Sequence, residues 1–206
     1  DGWFYGLAID KKTIYAFQKI NSSGRIISFN FKNNKITNPS VLISGLSSGV
    51  HQIEINDNKI YICDTYSNSI IIYDLIKKRN TRVEKPFGNN YKHINSIYFD
   101  KNSIYLFLHN KTHISGINSQ LATFNKDFQL ISLKELSSQN GHNFLIDDQN
   151  SYYFNSNKGY FLKNDEIVFS KEYFLRGLAK TKKYFFIGGS SFANRGERDL
   201  TKGVLF

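Results

Sequence analysis

Five polar side chains occupy one position of a repeated sequence unit. They stand at the first position of an eleven-residue unit, and they are Tyr5, His51, Asn95, His142 and Arg176. His93 precedes Asn95 by two residues, so strand alternation places it on the same face, one step nearer the end of the strand. Three imidazoles, a guanidinium, a phenol and an amide would therefore meet wherever the fold gathers the starts of the units.

Three of these side chains could hold a metal ion. Neutral imidazoles that converge on one point are sufficient protein ligands for Zn²⁺ or another divalent metal, with positions left for water or substrate. We therefore assign His51, His93 and His142 as metal ligands. Such an ion would lower the pKa of a bound water or polarise a carbonyl group. This chemistry predicts a metal-dependent lyase or hydrolase.

The other polar residues of the set would complete the site around a small ligand. The guanidinium of Arg176 suits a carboxylate or a phosphate because it binds such groups at two points, so the expected ligand is small and anionic. Tyr5 could transfer a proton. Tyr5 and Arg176 are therefore candidate catalytic residues, and Asn95 with Arg176 are candidate ligand-binding residues.

Two interpretations without a metal stay open. The same side chains could form a metal-free polar pocket, or they could only bond loop backbone and ordered water in the channel. A function of another class is also open, in which a non-catalytic scaffold recognises glycan or protein through its loops. Bound metal in protein purified without a histidine tag would favour the first class over the second.

The repeated unit predicts the strands that position these residues. Its five copies span residues 5–15, 51–61, 95–105, 142–152 and 176–186. Each copy reads as a short strand of alternating apolar residues, a turn rich in Asp, Asn and Lys, and a second strand. The third position is always large and apolar, and we expect its residues to be buried: Leu7, Ile53, Ile97, Phe144 and Leu178.

The spacing of the units predicts the fold. The units begin about 40 residues apart, and further strands follow at 26–31, 69–73, 121–125 and 167–170. Four short strands at that spacing are typical of a propeller blade. We predict one all-β domain, a five-bladed β-propeller with blades of three to four antiparallel strands at about 1–49, 50–92, 93–140, 141–174 and 175–206. The first strand of every blade lines the channel, which places the polar set at the channel mouth.

Composition excludes several other classes. The 206 residues carry a net charge of +10, but the basic residues are spread over turns of different repeats, which favours a solvated surface over nucleic-acid binding. No apolar segment approaches the ~20 residues that span a bilayer. Cys63 is the only cysteine, so an intrachain disulfide is excluded. Pro39 and Pro86, the only prolines, are expected in linkers between strands.

Several charged or titratable residues lie outside the polar set. Glu54 replaces an apolar residue of the other units, and we interpret it as an ion pair with a neighbouring blade rather than a general base. His109 and His113 are placed together in a loop after the second strand of the third blade. A last group is interpreted as solvated surface, with contacts to an anionic ligand as the alternative: Arg195, Glu197 and Arg198.

Specific segments resemble known propellers. Segments 51–55 and 62–70 resemble blades of the NHL and gluconolactonase types, and 175–179 with 187–191 and 194–198 resembles the last blade of uncharacterised bacterial propeller proteins. The residue types of the polar set are similar to the site of the peptidyl-hydroxyglycine amidating lyase, whose zinc is held by three histidines beside an arginine and a tyrosine. That family has six blades, so its distances would differ. The resemblance implies a propeller over the whole chain and leaves the function open.

Overall fold

The computed structural model describes residues 3–33, 35–110, 116–193, 197 and 200–206. These residues form nineteen β-strands and one 3₁₀ turn, Ser156–Lys158, and none of them is in an α-helix. No helix in the described ranges is long and apolar enough to cross a membrane. The chain divides into two compact units, residues 1–99 (the first unit) and 100–206 (the second unit).

The first unit contains nine strands. They are β1 (Trp3–Asp10), β2 (Thr13–Ile20), β3 (Ser23–Lys32), β4 (Lys35–Ser47), β5 (Val50–Asn56), β6 (Lys59–Asp64), β7 (Ser69–Asp74), β8 (Arg79–Glu84) and β9 (Ile94–Phe99). Strands β1–β4 form the first sheet and β5–β8 the second, each an antiparallel meander. Tight turns join the strands, and Asp57 and Asn58 adopt the positive φ angles, 49° and 57°, that suit a two-residue hairpin turn.

The second unit contains ten strands. They are β10 (Ile104–Leu108), β11 (Gln120–Phe124), β12 (Leu130–Glu135), β13 (Phe144–Asp147), β14 (Asn150–Asn155), β15 (Tyr160–Lys163), β16 (Glu166–Ser170), β17 (Phe174–Lys180), β18 (Phe185–Ser190) and β19 (Gly203–Leu205). The strand orders are β12-β11-β10-β9 in the third sheet, β13-β14-β15-β16 in the fourth and β17-β18-β19 in the fifth.

The sheets confirm the predicted fold class. Four antiparallel sheets of four strands and one of three are the blades of a five-bladed β-propeller. The predicted later strands are also confirmed, since 26–31, 69–73, 121–125 and 167–170 all fall on β3, β7, β11 and β16 to within a residue. Strand β19 is the third strand of the fifth blade.

Apolar alternation builds a core within each unit. In the first unit Ile53 of β5 is fully buried and packs with Phe17 and Ile26 of the first sheet. In the second unit Phe161 and Leu175 belong to one cluster of buried side chains that joins the fourth and fifth sheets. The predicted burial of Ile53, Ile97 and Phe144 is confirmed, because their exposed fractions are 0%, 1% and 5%.

The predicted burial of Leu7 is wrong. Its side chain is 67% exposed, and Ala8 is buried in its place. A β-bulge between Tyr5 and Leu7 inserts one residue and so reverses the alternation that follows. Gly6 occupies the bulge with a φ of +61°, and a Cβ there would lie 2.8 Å from the backbone nitrogen of Ile53. Only glycine therefore allows this approach of β1 to β5.

Two more residues refine the sequence-based picture. Leu178 is half-buried, and a second bulge precedes it at Gly177, which has a φ of +87°. Pro39, expected in a linker, lies inside β4. β4 is the outer strand of its sheet, where a missing N–H breaks no ladder of hydrogen bonds. Pro86 lies in a turn after β8, as predicted.

Candidate functional site

The first unit brings His51 and His93 into contact. Their ring centroids are 5.0 Å apart and the rings are nearly perpendicular, at 79°. His51 lies in a bulge of β5, and His93 immediately precedes β9 with a left-handed φ of +52°. The side chain of Gln52 accepts a hydrogen bond of 2.7 Å from the backbone N–H of Ile97, which joins the two strands next to the pair.

Polar side chains flank both rings of this pair. The amide nitrogen of Asn95 lies 3.3 Å from Nδ1 of His51, and the hydroxyl of Tyr91 lies 3.3 Å from Nδ1 of His93. A hydroxyl can donate or accept, so Tyr91 permits either tautomer of His93. An amide nitrogen only donates, so Nδ1 of His51 is the acceptor in its contact with Asn95. His93 and Asn95 are buried, which strengthens their polar interactions. The structure thus brings together three of the predicted site residues.

A loop fastened by buried polar groups holds His93 in place. The amide of Asn68 donates to the carbonyl oxygen of Asn90 at 2.9 Å and accepts from the backbone N–H of Lys92 at 3.0 Å. The hydroxyl of Thr65 donates to the carbonyl oxygen of Ile94 at 2.6 Å. Both ends of the Asn68 amide therefore position the loop that contains His93.

Tyr5 lies in β1 of the first unit. Its half-buried ring packs against the apolar cluster of that unit and stands opposite Phe17 of β2. The predicted role of Tyr5 in proton transfer stays a prediction.

The second unit brings His142 and Arg176 to the same phenyl ring. The centroid of His142 lies 5.2 Å from that of Phe174, and the guanidinium carbon of Arg176 lies 5.9 Å from it. Phe174 is buried at the start of β17. The side chain of Asn143 accepts a hydrogen bond of 2.8 Å from the backbone N–H of Gly177, which ties the segment before β13 to β17.

Hydrogen bonds fix the tautomer of His142. Its Nδ1 lies 3.0 Å from the carbonyl oxygen of Asn140 and 2.8 Å from the hydroxyl oxygen of Ser156. A carbonyl oxygen can only accept, and Ser156 donates its own proton to the carbonyl oxygen of Leu175 at 2.6 Å. Nδ1 must therefore carry the imidazole proton. Nε2 then has the lone pair, which is the form that accepts a proton or ligates a metal.

His109 joins this site, although the sequence analysis placed it apart. Its ring lies 4.6 Å from that of His142, edge to face at 71°, and it is only 5% exposed. His113, expected beside it, lies outside the described residues. A sequence signal was present, because the residue fourteen positions after the start of each unit is polar in every copy: Lys19, Thr65, His109, Ser156 and Ser190. In the last four copies this residue is buried at the end of the second strand.

The charge of Arg176 has no counterion among the described residues. Arg176 is half-buried, and none of the ion pairs in the described ranges includes it. A guanidinium in that position suits a carboxylate or phosphate from outside the chain. The arrangement around Phe174 thus combines an available positive charge with a basic imidazole nitrogen.

The metal assignment stays a prediction. Within the residues that the structure describes, no group of three or more His, Cys, Asp or Glu side chains is arranged to hold a metal ion. Of the predicted ligands, His51 and His93 lie in the first unit and His142 in the second. The lone pair on Nε2 of His142 fits the chemistry of a metal ligand.

The ion pair expected for Glu54 is not found among the described residues. Its carboxylate accepts a hydrogen bond of 3.0 Å from the backbone N–H of Ile55, and burial raises the pKa of the carboxyl above its ordinary value. Strand alternation places Glu54 on the face opposite Ile53. In the surface group, Glu197 is exposed, and Arg195 and Arg198 lie outside the described residues.

Comparison with known proteins supports the fold and leaves the chemistry open. No protein-family model and no curated protein matches the chain. Solved structures with similar folds include the gluconolactonase XC5397 of Xanthomonas campestris, at 9% identity over 92% of this chain and 70% of that chain, with a TM-score of 0.66. The PQQ-bound aldose sugar dehydrogenase of Streptomyces coelicolor matches at 11% identity over 100% and 79%, with a TM-score of 0.62.

A third similar structure is the glutaminyl cyclase of Myxococcus xanthus. It matches at 10% identity over 91% of this chain and 85% of that chain, with a TM-score of 0.59. The chain covers as little as 56% of another solved chain that it matches, so it spans only part of the length of some similar proteins. At these identities the likeness shows the fold alone, a β-propeller of the gluconolactonase-like type.

Proposed function

We propose that this propeller binds a small anionic molecule between Arg176 and His142, and that His142 accepts a proton from the bound molecule or from a water beside it. The observation that carries the proposal is the tautomer of His142, since two acceptors at Nδ1 leave the lone pair on Nε2. A positioned imidazole in this form is the commonest general base. The reaction class that fits is hydrolysis or elimination.

The surroundings of His142 support binding next to the proton acceptor. Arg176 would supply two-point recognition of a carboxylate or phosphate, and both its guanidinium and the imidazole of His142 lie next to the buried ring of Phe174. His109 stands edge-on to His142 and shields one side of it from water. Two of the similar propellers are named gluconolactonase and aldose sugar dehydrogenase, which supports a small polar ligand.

A divalent metal is the second candidate, and the contact between His51 and His93 favours it. His51 and His93 would be the ligands in the first unit. The hydroxyl of Tyr91 can accept the Nδ1 proton of His93, as partners of metal-bound histidines usually do. For His51 the amide of Asn95 would have to turn its oxygen to Nδ1, where its nitrogen now lies. Such an ion would polarise a carbonyl group or lower the pKa of bound water. Asn95 would then orient His51, and Tyr5 would serve the proton transfer expected of it.

Titration calorimetry with inorganic phosphate and with gluconate tests the proposal. The parent should bind at least one of the two, and Arg176→Lys should weaken that binding about tenfold because Lys keeps the charge and loses the two-point geometry. Arg25→Lys is the matched control, since Arg25 is also half-buried and contacts Gln18 at 2.8 Å rather than a carboxylate. Binding that survives Arg176→Lys unchanged, or no binding of either anion, would contradict the proposal.

Metal analysis of protein purified without a histidine tag separates the two candidates. Stoichiometric Zn²⁺ or another divalent metal that is lost in both His51→Ala and His93→Ala would establish the second candidate. Metal-free protein that still binds the anion would leave only the first candidate. Metal-free protein that is stabilised by glycans and by neither anion would favour the non-catalytic scaffold.

A further inference from the structure

A cavity lies in the second unit and shares no residue with the His142 site. It has a volume of about 410 Å³ and lies between the fourth and fifth sheets. Five aromatic side chains and one lysine line most of its wall: Tyr152, Phe161, Phe169, Phe185, Phe206 and Lys163. Ligand sites in proteins are clefts of roughly 300–1,000 Å³ with mostly apolar walls and a few polar groups, so size and lining both fit a small ligand.

The aromatic rings of the lining pack against one another. Tyr152 stacks on Phe161, with centroids 5.8 Å apart, and Phe185 lies 4.8 Å from Tyr152. Phe169 lies opposite Phe161 in the strand register, and its ring lies 5.5 Å from that of Phe206. Val168, another lining residue, is 51% exposed, so the cavity is an open cleft and not a void in the core. A flat ring would fill the cleft with the stacked and edge-to-face contacts that aromatic side chains prefer.

Uncompensated positive charge lies beside the cavity. Lys163 is part of the wall, and the ammonium group of Lys171 lies 5.9 Å from the ring of Phe169. No ion pair in the described ranges includes Lys163 or Lys171, whereas Lys180, near Phe185, is paired with Asp147 at 2.8 Å. Glu166 faces Lys163 across the strands as an exposed residue and is the nearest carboxylate in the strand register.

We propose that this cavity binds an aromatic carboxylate, with the ring against the aromatic side chains of the lining and the carboxylate at Lys163 and Lys171. Apolar walls alone would accept any hydrophobic molecule. The two lysines select an anionic one, because a charged partner satisfies their ammonium groups at the edge of an otherwise apolar surface. The proposal is independent of the His142 site and of the reaction proposed there.

Fluorescent probes test the cavity directly. The anionic probe 8-anilinonaphthalene-1-sulfonate should bind the folded parent with enhanced fluorescence, and 2-naphthoate should displace it. The neutral analogue N-phenyl-1-naphthylamine should bind about tenfold more weakly. The double variant Lys163→Gln/Lys171→Gln should remove that preference by weakening the anionic probe about tenfold and leaving the neutral one unchanged. Lys158→Gln, on the 3₁₀ turn, is the matched lysine control.

Filling the cavity tests the location. Val168→Trp should abolish binding of both probes, because Val168 lines the cavity. Val83→Trp is the matched control, since Val83 is 54% and Val168 51% exposed and both lie on outer strands. Melting curves verify folding, and Val168→Phe replaces the Trp variant if that variant melts early. Equal affinity for the two probes, unchanged binding in Val168→Trp, or a dimer of the parent that Val168→Trp dissociates would overturn the proposal.

Discussion

The two histidine pairs have nearly the same ring geometry but different hydrogen-bond partners. His51 and His93 lie edge to face at 5.0 Å in the first unit, and His109 and His142 at 4.6 Å in the second. In the first pair, Nδ1 of His93 meets the hydroxyl of Tyr91, which can donate or accept, and Nδ1 of His51 accepts from the amide nitrogen of Asn95. The neighbours of His142 are a backbone carbonyl and a serine whose proton is already donated.

We call His93 responsive, because its hydrogen-bond partner permits either tautomer, and His142 preset, because its partners permit one. A ring whose partners can reverse will adopt the tautomer that a ligand or metal demands. A ring fixed by backbone presents one nitrogen in one state before any ligand arrives, which is the preorganisation that catalysis requires. The proton transfer that we propose therefore belongs to His142, and His93 is the more adaptable ring.

Glu54 of the first unit and Asp165 of the second unit differ in the direction of their pKa shifts. Burial raises the pKa of Glu54 in the first unit, and its only described hydrogen bond comes from the backbone N–H of Ile55. In the second unit the pKa of Asp165 is lowered despite burial, because Tyr153, Ser137 and Lys134 all donate to its carboxylate. Three side chains and their neighbours thus compensate the charge of Asp165, whereas Glu54 has one backbone donor.

The largest expected effects on stability come from substitutions of buried residues next to each histidine pair. Phe174→Ala should destabilise the protein by about 3–5 kcal/mol and Ile97→Ala by about 2–5 kcal/mol, since both side chains are almost fully buried. Urea unfolding measures both. Val83→Ala, on an exposed outer position, should stay within about 0.5 kcal/mol of the parent. A cost below about 1 kcal/mol for Ile97→Ala would mean that the register of β9 is wrong.

The sequence predicts the first strands well because their signal is local. Apolar alternation, a polar turn and an aromatic recur in each copy, and Ile53, Ile97 and Phe144 are buried where that pattern places them. The bulge at Gly6 could not be predicted, because one inserted residue reverses the alternation without changing the repeat, and Leu7 becomes exposed as a result.

The sequence predicts only some of the residues of the candidate site. The first position of the unit identifies His51, Asn95, His142 and Arg176, but His109 lies beyond the eleven-residue unit, at the end of a different strand. The tautomer of His142 depends on the carbonyl oxygens of Asn140 and Leu175. Backbone groups exist at every residue, so sequence alone does not indicate which of them a side chain will meet.

Asp165→Asn should have the next largest effect. Its lowered pKa means that the carboxylate stabilises the folded state above the unfolded pKa of about 3.9, and that this contribution is lost as the pH falls through the folded pKa. The variant should therefore be less stable than the parent by roughly 1.5–3 kcal/mol near neutral pH, with a difference that shrinks in acid. A difference that is constant with pH would contradict the assignment.

Glu54→Gln should show the opposite dependence. A raised pKa means that the stability of the parent is complete below the unfolded pKa of about 4.3 and declines as the pH rises through the folded pKa. The glutamine variant keeps an acceptor for the N–H of Ile55, so it should melt above the parent at neutral pH and with it near pH 4. Melting curves across that range measure the effect, and a variant that melts lower at pH 7 would imply a counterion for Glu54.

The smallest pair of changes compares the hydrogen bonds of the two sites. Ser156→Ala should cost roughly 1–3 kcal/mol, because the fully buried hydroxyl serves both Nδ1 of His142 and the carbonyl oxygen of Leu175. Tyr91→Phe should cost less than about 1 kcal/mol, since Tyr91 is half-exposed and water can replace its hydroxyl at His93. Equal costs would remove the distinction between a preset and a responsive ring.

Nitrogen NMR of protein with ¹⁵N-labelled histidine tests the preset tautomer most directly. At neutral pH the resonances of His142, assigned by their loss in His142→Gln, should show a protonated Nδ1 and a lone pair on Nε2. The same spectrum in Ser156→Ala should keep this tautomer, because the carbonyl oxygen of Asn140 still accepts from Nδ1. A protonated Nε2 on the neutral ring of His142 would contradict the account and remove the proton acceptor from the proposed site.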